Sequence, residues 1–312
     1  MILEITHSTR LKYPAPVTRS SNLVRLAPAD GGGQRRVAYA LRVRPNARVR
    51  DYRDVWDNLV QYFTVTDTHF ELSIRAYSRV ETSPLPMPPG PVPWSAFGSA
   101  AAAVWLDLTL QTPLTDLGPI PPGGTPGEDA WAWVGAVVSG MPGRLRYQKG
   151  VTGVETTAAQ ALVRGEGVCQ DFAHAALGLL RANRIPARYV GGYQFLGDGA
   201  EHEPHAWIEV WHPADTWVGF DPTSGDPVDE RYVRVAVGRD YLDAAPVRGH
   251  VIFAAPPDAE IRSDLPIVEV SIVRVASPSD PLGFPVDGDT AAEEDGAGRR
   301  TANAPSRPRS PQ

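Results

Sequence analysis

The sequence predicts an α+β protein: an N-terminal antiparallel β domain, then a core that sets a cysteine at a helix N-terminus against an antiparallel sheet. Three observations predict it. Short apolar runs of period two fill residues 1–83. Six prolines in the ten residues 84–93 then interrupt the pattern. Beyond them, segments of helical composition lead to the only cysteine, Cys169, which is followed by strand-like runs.

Taken in order, Leu3–His7, Val37–Val43, Asn58–Val65 and Leu72–Tyr77 alternate apolar and polar residues between Gly, Asp and Pro, the pattern of half-buried strands. The prolines of 84–98 supply no ladder donors and predict an extended connector, on which Trp94 and Phe97 need burial against a neighbour. The core is expected over 99–276. Ser95–Trp105, Asp129–Val138 and Thr156–Arg164 read as helices, the last broken by Gly165 and Gly167. From Cys169 to Arg184, apolar Phe172, Ala173, Ala176, Leu177 and Leu180 form one stripe on a further helix, which Pro186 ends. Strands are expected at Ala187–Gln194, His205–Trp211, Trp217–Asp221, Arg231–Val237 and Ile267–Val275. Residues 277–312 are Pro, Gly, Ala, Ser, Asp and Arg without periodicity, the composition of a disordered tail.

Composition narrows the function classes. The 312 residues with 42% hydrophobic content suffice for one large or two ordinary globular domains. A net charge of −6 and scattered arginines argue against a nucleic-acid partner. A single cysteine forms no internal disulfide and suits a reducing compartment. The start carries no basic segment followed by an apolar run, and no apolar stretch has bilayer length, so the expectation is a soluble cytoplasmic protein with no membrane partner. Oligomeric state has no signature in the chain.

The chemistry concentrates around Cys169, in the run Gly165-Glu166-Gly167-Val168-Cys169-Gln170-Asp171-Phe172-Ala173-His174. A thiol just after a glycine turn and at the first turn of a helix has its thiolate stabilised by free N–H groups and the helix dipole. His205 and Asp221 follow. The segments 205–211 and 217–221 flank the turn 212–216, so a hairpin pairs Trp211 with Trp217 and Glu209 with Gly219, and places His205 and Asp221 as diagonal neighbours on one face, about 7 Å apart at Cβ. A one-residue slip would separate them. The order Cys, His, Asp is that of a thiol triad: nucleophile, general base and orienting carboxylate. The backbone N–H of Cys169 is the natural first oxyanion donor, and Tyr147 is named as the second.

Competing readings are blander. An isolated cysteine is usually a small buried hydrophobe. His174 lies five residues after Cys169, about 140° round the helix, and reads as a structural hydrogen-bonder. Asp171 reads as support for the helix N-terminus. His202 and His205 would face opposite sides of a strand, so no metal or other cofactor is expected. Trp207, Trp211 and Trp217 read first as cross-strand packing.

Gly-Val-Cys-Gln-Asp-Phe-Ala-His at 167–174, Ile-Pro-Ala-Arg-Tyr-Val-Gly-Gly-Tyr at 185–193, His-Ala-Trp-Ile-Glu at 205–209 and Gly-Phe-Asp-Pro-Thr at 219–223 resemble the core of the bacterial transglutaminase-like family. Arg-Val-Ala-Val-Gly-Arg-Asp-Tyr at 234–241 and Pro-Val-Arg-Gly at 246–249 extend the resemblance, and the β domain is similar to the one that accompanies this core in the family. The resemblance covers about residues 1–255. It implies a papain-like α+β core with Cys169, His205 and Asp221 as triad. Two positions depart from the pattern: Tyr232 stands where histidine is expected, and Asp57 stands where glycine is usual. The implied function is a thiol enzyme acting on a peptide or protein amide through a thioester acyl-enzyme. Hydrolysis is slightly favoured over protein-glutamine acyl transfer, since many members look like peptidases or amidases. The reading from another class is a non-catalytic peptide-binding module, which has no need of all three groups.

Overall fold

Strand β1 (Ile2–Val24) organises the first sheet in the computed structural model, which describes residues 1–88, 90–122, 127–254 and 266–279. Its first half pairs with β5 (His69–Thr82) and its second half with β4 (Leu59–Val65), both antiparallel. The β1–β5 register shifts between Lys12 and Val17, where Pro14 and Pro16 can donate no ladder bonds. Those prolines hide the second half of β1 from a period-two reading. β2 (Gln34–Arg44) borders β5, and the short β3 (Arg50–Arg53) borders β4, giving the order β2-β5-β1-β4-β3.

The connector does not lead to the long helix expected over 95–105. Residues 94–98 form a 3-10 turn, 100–103 a single α-turn and 106–109 another 3-10 turn. The chain folds back on the core there: Trp94 donates Nε1–H to the carbonyl of Gly127 at 2.8 Å, and buried Phe97 meets Trp211 edge-on. Helix α1 (Ala130–Ser139) is capped by the Asp129 carboxylate, which accepts from Trp131 N–H. Helix α2 (Ala158–Arg164) starts in a capping box between Thr157 and Gln160 and ends at Gly165, whose φ of +72° is left-handed.

Helix α3 (Cys169–Ala182) is the central element. The expected single apolar stripe understates it, because every residue from Asp171 to Arg181 is buried. Such a helix is covered on all sides, against β6 (Ala187–Gln194) and β7 (Pro204–His212) on one and α1 and α2 on another. β8 (Thr216–Asp221) and β9 (Tyr232–Gly238) complete the core sheet, in the order β8-β7-β6-β9 with residues 226–227 bridging to the outer edge of β8.

The last two strands correct the expected extent of the core. β10 (Val247–Phe253) and β11 (Ile267–Arg274) leave the core sheet and pair antiparallel with β1, so the chain returns to the sheet it began with. The expected tail lies outside the described residues from 280 onward, but at its start the carbonyl of Pro278 accepts a hydrogen bond from Arg79 Nη1 at 2.9 Å. The β domain and core share one compact unit within residues 1–281. Gln34 Nε2 donates to the carbonyl of Arg234 at 2.8 Å, Asn58 exchanges two bonds with the backbone of Val237, and the Tyr193 hydroxyl bonds His7 Nδ1 at 3.0 Å. No helix among the described residues is long and apolar enough to cross a membrane.

Candidate active site

Helix α3 is aimed by what precedes it. Residues 166–167 pair in parallel with 146–147, and a Cβ on Gly167 would lie 2.6 Å from the Asp171 Cβ, so only glycine fits this approach. The Asp171 carboxylate accepts from Val168 N–H at 2.8 Å and from the Thr152 hydroxyl at 2.7 Å, tying the helix start to the preceding loop. Burial raises its pKa, and those bonds partly oppose the rise. The N–H groups of Cys169 and Gln170, orphans of the first turn, have no backbone partner among the described residues. Cys169 itself is half-buried.

The β7–β8 hairpin has the register read from the sequence, with Trp211 opposite Trp217 and Glu209 opposite Gly219. His205 and Asp221 therefore share a face, and His205 Nε2 lies 2.8 Å from Asp221 Oδ2. That contact leaves Nδ1 as the ring nitrogen available to the thiol. Burial alone would push the imidazole down, but hydrogen bonds to Asp221 and Cys169 and the charges of both raise its pKa to about 10. Burial likewise works against the Asp221 carboxylate. The bond and charge of His205, the Thr223 N–H at 2.8 Å and the Tyr232 hydroxyl at 2.9 Å outweigh it and hold the group below the usual carboxylate range. Tyr232 in turn accepts from Gln194 Nε2 at 2.7 Å across the β6–β9 pair. Trp207, fully buried, lies beneath: its ring is 6.2 Å from that of His205 and 5.4 Å from that of Tyr232. The packing role read for this tryptophan therefore also supports the candidate base.

Cys169 and His205 open on a cavity of about 260 Å³ whose far wall belongs to the β domain, through His7, Arg25 and Leu26. Gln170 lines it, whereas Tyr147 does not. Tyr147 is exposed, tilted against Phe172 at 6.4 Å, and its hydroxyl is pushed up to about 12 by burial and by the charges of Cys169 and Glu203. The N–H of Gln170, with no backbone partner among the described residues, is a further donor at the helix start beside the Tyr147 hydroxyl, which feels the charge of Cys169. His174 does not line the cavity but sits behind its wall: its Nε2 accepts from the N–H of Tyr241, a lining residue, at 3.1 Å, and burial lowers its pKa to about 3. His202 accepts from Leu196 N–H at 3.3 Å and stacks on Phe195, apart from His205. The described residues contain no group of three or more His, Cys, Asp or Glu side chains disposed to hold a metal ion. In the sequence Tyr232 stands out only as a departure from the family pattern, and nothing local signals Gln194 or Arg25, whose places depend on sheet pairing and domain packing.

Residues 3–81 match the bacterial transglutaminase-like N-terminal region, and residues 127–222 match the transglutaminase-like superfamily core. An uncharacterized protein of Mycobacterium leprae is 34% identical over 267 residues, 79% of this chain and 92% of its own length. The chain belongs to the transglutaminase-like superfamily. A second relative, from Mycobacterium tuberculosis, is 34% identical over 306 residues, covering 89% of this chain and 94% of its own. A protein-glutamine gamma-glutamyltransferase of Pseudomonas aeruginosa is 34% identical over 97 residues, which cover 26% of this chain and 14% of that one. Among solved structures, a protein of Cytophaga hutchinsonii provisionally assigned as a cysteine protease has a TM-score of 0.67 at 20% identity, covering 91% of this chain and 94% of its own, and shares the fold. Membership of this superfamily makes the protein a thiol enzyme in general type.

Proposed function

We propose that the protein cleaves amide bonds of peptides or proteins through a thioester on Cys169, with water as the final acceptor. The observation that carries this reading is that His205, bonded to Asp221 behind it, shares one cavity with a thiol at a helix N-terminus. The Cys169 thiolate attacks the carbonyl carbon, forming a C–S bond, while the oxyanion is met by the N–H groups of Cys169 and Gln170. The His205 imidazolium gives its proton to the leaving nitrogen as the C–N bond breaks. His205, now neutral, takes a proton from water. The hydroxide oxygen attacks the thioester, the C–S bond breaks, and the acid is released with the thiolate restored. Asp221 keeps the ring oriented and stabilises its cationic form throughout.

Mass spectrometry of Cys169 after rapid quenching with a peptide library tests this directly, since an acyl adduct must appear on a chain with one cysteine. Repeating the reaction in H₂¹⁸O with a graded primary amine separates the acceptors: label in the released acid supports hydrolysis, and an amide of the added amine supports transfer. Peptide binding with no adduct and no turnover would leave the non-catalytic module as the surviving reading.

A further inference from the structure

The β domain contributes a cation to the cavity of the candidate site. Arg25 lines it together with Cys169 and His205, yet is only 9% exposed. Its backbone N–H is fixed to the carbonyl of Pro246 at 2.8 Å, and its Nε–H donates to Asp54 Oδ2 at 3.1 Å. Asp54 has no capacity to spare: Oδ1 accepts the N–H groups of Trp56 and Asn58, and Oδ2 also accepts Asn58 Nδ2. Asn58 is in turn bonded to Val237 in the core, so the guanidinium is braced from behind by both parts of the molecule.

The guanidinium keeps a donor that Asp54 does not use. Nη1 is buried with no hydrogen-bond partner. No Asp or Glu occurs among the residues lining the cavity. Burial of the neighbouring His7 lowers its pKa to about 4, so near neutral pH it adds no charge. Leu26, Val235, Ala244 and Pro246 make the surrounding wall apolar, which strengthens the attraction between Arg25 and any anion that enters. A rigidly held guanidinium with unused donors presents the fork that a carboxylate matches.

We propose that the cavity receives an acyl donor bearing a carboxylate, and that Arg25 is the residue that selects it. The inference rests on the reading of Cys169 as the nucleophile and adds the substrate class. The carboxylate belongs to an acidic side chain or to a free chain terminus, and three nearly isosteric alkylating probes distinguish these. N-bromoacetyl-glutamate α-amide carries only the side-chain carboxylate, N-bromoacetyl-glutamine only the terminal one, and N-bromoacetyl-glutamine amide neither.

Alkylation of Cys169, followed by mass, is expected to run about ten-fold faster with one charged probe than with the neutral one, the scale of a charge-assisted hydrogen bond. The faster probe names the source. In Arg25→Gln the ratio is expected to fall close to one, and Arg25→Lys, which keeps the charge without the fork, is expected to lie between. Equal rates for the three probes, or a preference that survives Arg25→Gln, would overturn the proposal. Should Arg25→Gln not fold, His205→Ala decides: a preference that persists there belongs to Arg25, and one that vanishes belongs to the imidazolium and defeats the inference. Absence of turnover on every amide would defeat the hydrolytic reading alone, because the probes need only the thiol.

Discussion

Tyr232 donates its hydroxyl proton to Asp221 Oδ2, the same oxygen that holds His205 Nε2, at 2.9 Å and 2.8 Å respectively. Burial and the adjacent carboxylate raise the phenol pKa, so it stays a donor across the working range. Where the family resemblance leads one to expect histidine, this chain keeps a ring with a hydrogen-bond donor. The role left open by that departure is thus orientation of the carboxylate.

Tyr232→Phe removes that donor and leaves Asp221 held by Thr223 and His205 alone. Stability is expected to drop by about 1–2 kcal/mol, the cost of a lost bond to a buried charged group. Turnover on a responsive substrate is expected to fall roughly ten-fold as the imidazole loses its fixed partner. Tyr232→His restores a donor and should recover most of the turnover. Its acid limb is the specific readout: with one donor fewer, the Asp221 pKa rises and the limb moves to higher pH in Tyr232→Phe. Equal pH profiles for both variants would make Tyr232 a packing residue.

The raised pKa of His205 sets a direction for stability against pH. Its folded value of about 10 lies above the ordinary imidazole value of 6.5, so the folded state binds the proton more tightly. The stabilisation is therefore complete below about pH 6.5 and is lost as pH climbs toward 10. Asp221 acts in the opposite sense, contributing above its unfolded pKa and losing that contribution as acid reaches its depressed folded value. Chemical denaturation between pH 6 and 10 is expected to show falling stability, with a shallower slope in His205→Gln. The imidazole midpoint, followed by NMR, should drop in Cys169→Ala and also in Asp221→Asn. A midpoint near 6.5 in the unsubstituted protein would remove the basis for the pair.

Legibility from sequence followed the range of the interactions. The β7–β8 register was readable because a short turn and alternating residues fix it locally, and that register alone brings His205 to Asp221. The start of α3 was readable for the same reason: Gly165, Gly167 and Cys169 act within a few residues of one another. The second half of β1 was masked by Pro14 and Pro16, and β10 lacked a clean alternation, since both take their pairing from strands more than thirty residues away. The turns over 94–109 look helical by alanine content but are shaped by Trp94 and Phe97 docking on the core. Arg25 could not be placed at all without the packing of one domain on the other.

Asp57 is the second departure from the family pattern, and its backbone explains why glycine is usual there. Its φ is +63°, in the left-handed region that penalises a side chain. Its carboxylate gives little in return, lying 3.8 Å from Arg53 Nε with both groups well exposed. The bond from Arg53 Nη1 goes to the Asp57 carbonyl, which any residue supplies. Asp57→Gly should therefore stabilise by about 0.5–1 kcal/mol, the relieved strain less the added freedom of the unfolded chain. Thermal melting checks the sign, and a lower melting temperature would mean that the exposed carboxylate has a role the geometry does not suggest.

Gly167→Ala tests how tightly the helix start is set. The new methyl carbon would meet the Asp171 Cβ at 2.6 Å and its Oδ2 at 2.6 Å, neither of which can withdraw easily, because the carboxylate is buried and bonded to Val168 and Thr152. Relief requires the 166–168 segment to move away from α3, breaking the Val168 bond and shifting the backbone that carries the Cys169 thiol. Overpacking of this kind typically costs about 1–3 kcal/mol. Turnover should fall further than stability, since a displacement of about 1 Å at a nucleophile is worth about a hundred-fold in rate. Asp171→Ala is the informative companion: it makes room for the methyl group but loses the bond. If the clash is the cause, the double variant should be more stable than the sum of the two single changes predicts. Strict additivity would place the effect of Gly167→Ala in backbone conformation and not in contact with Asp171.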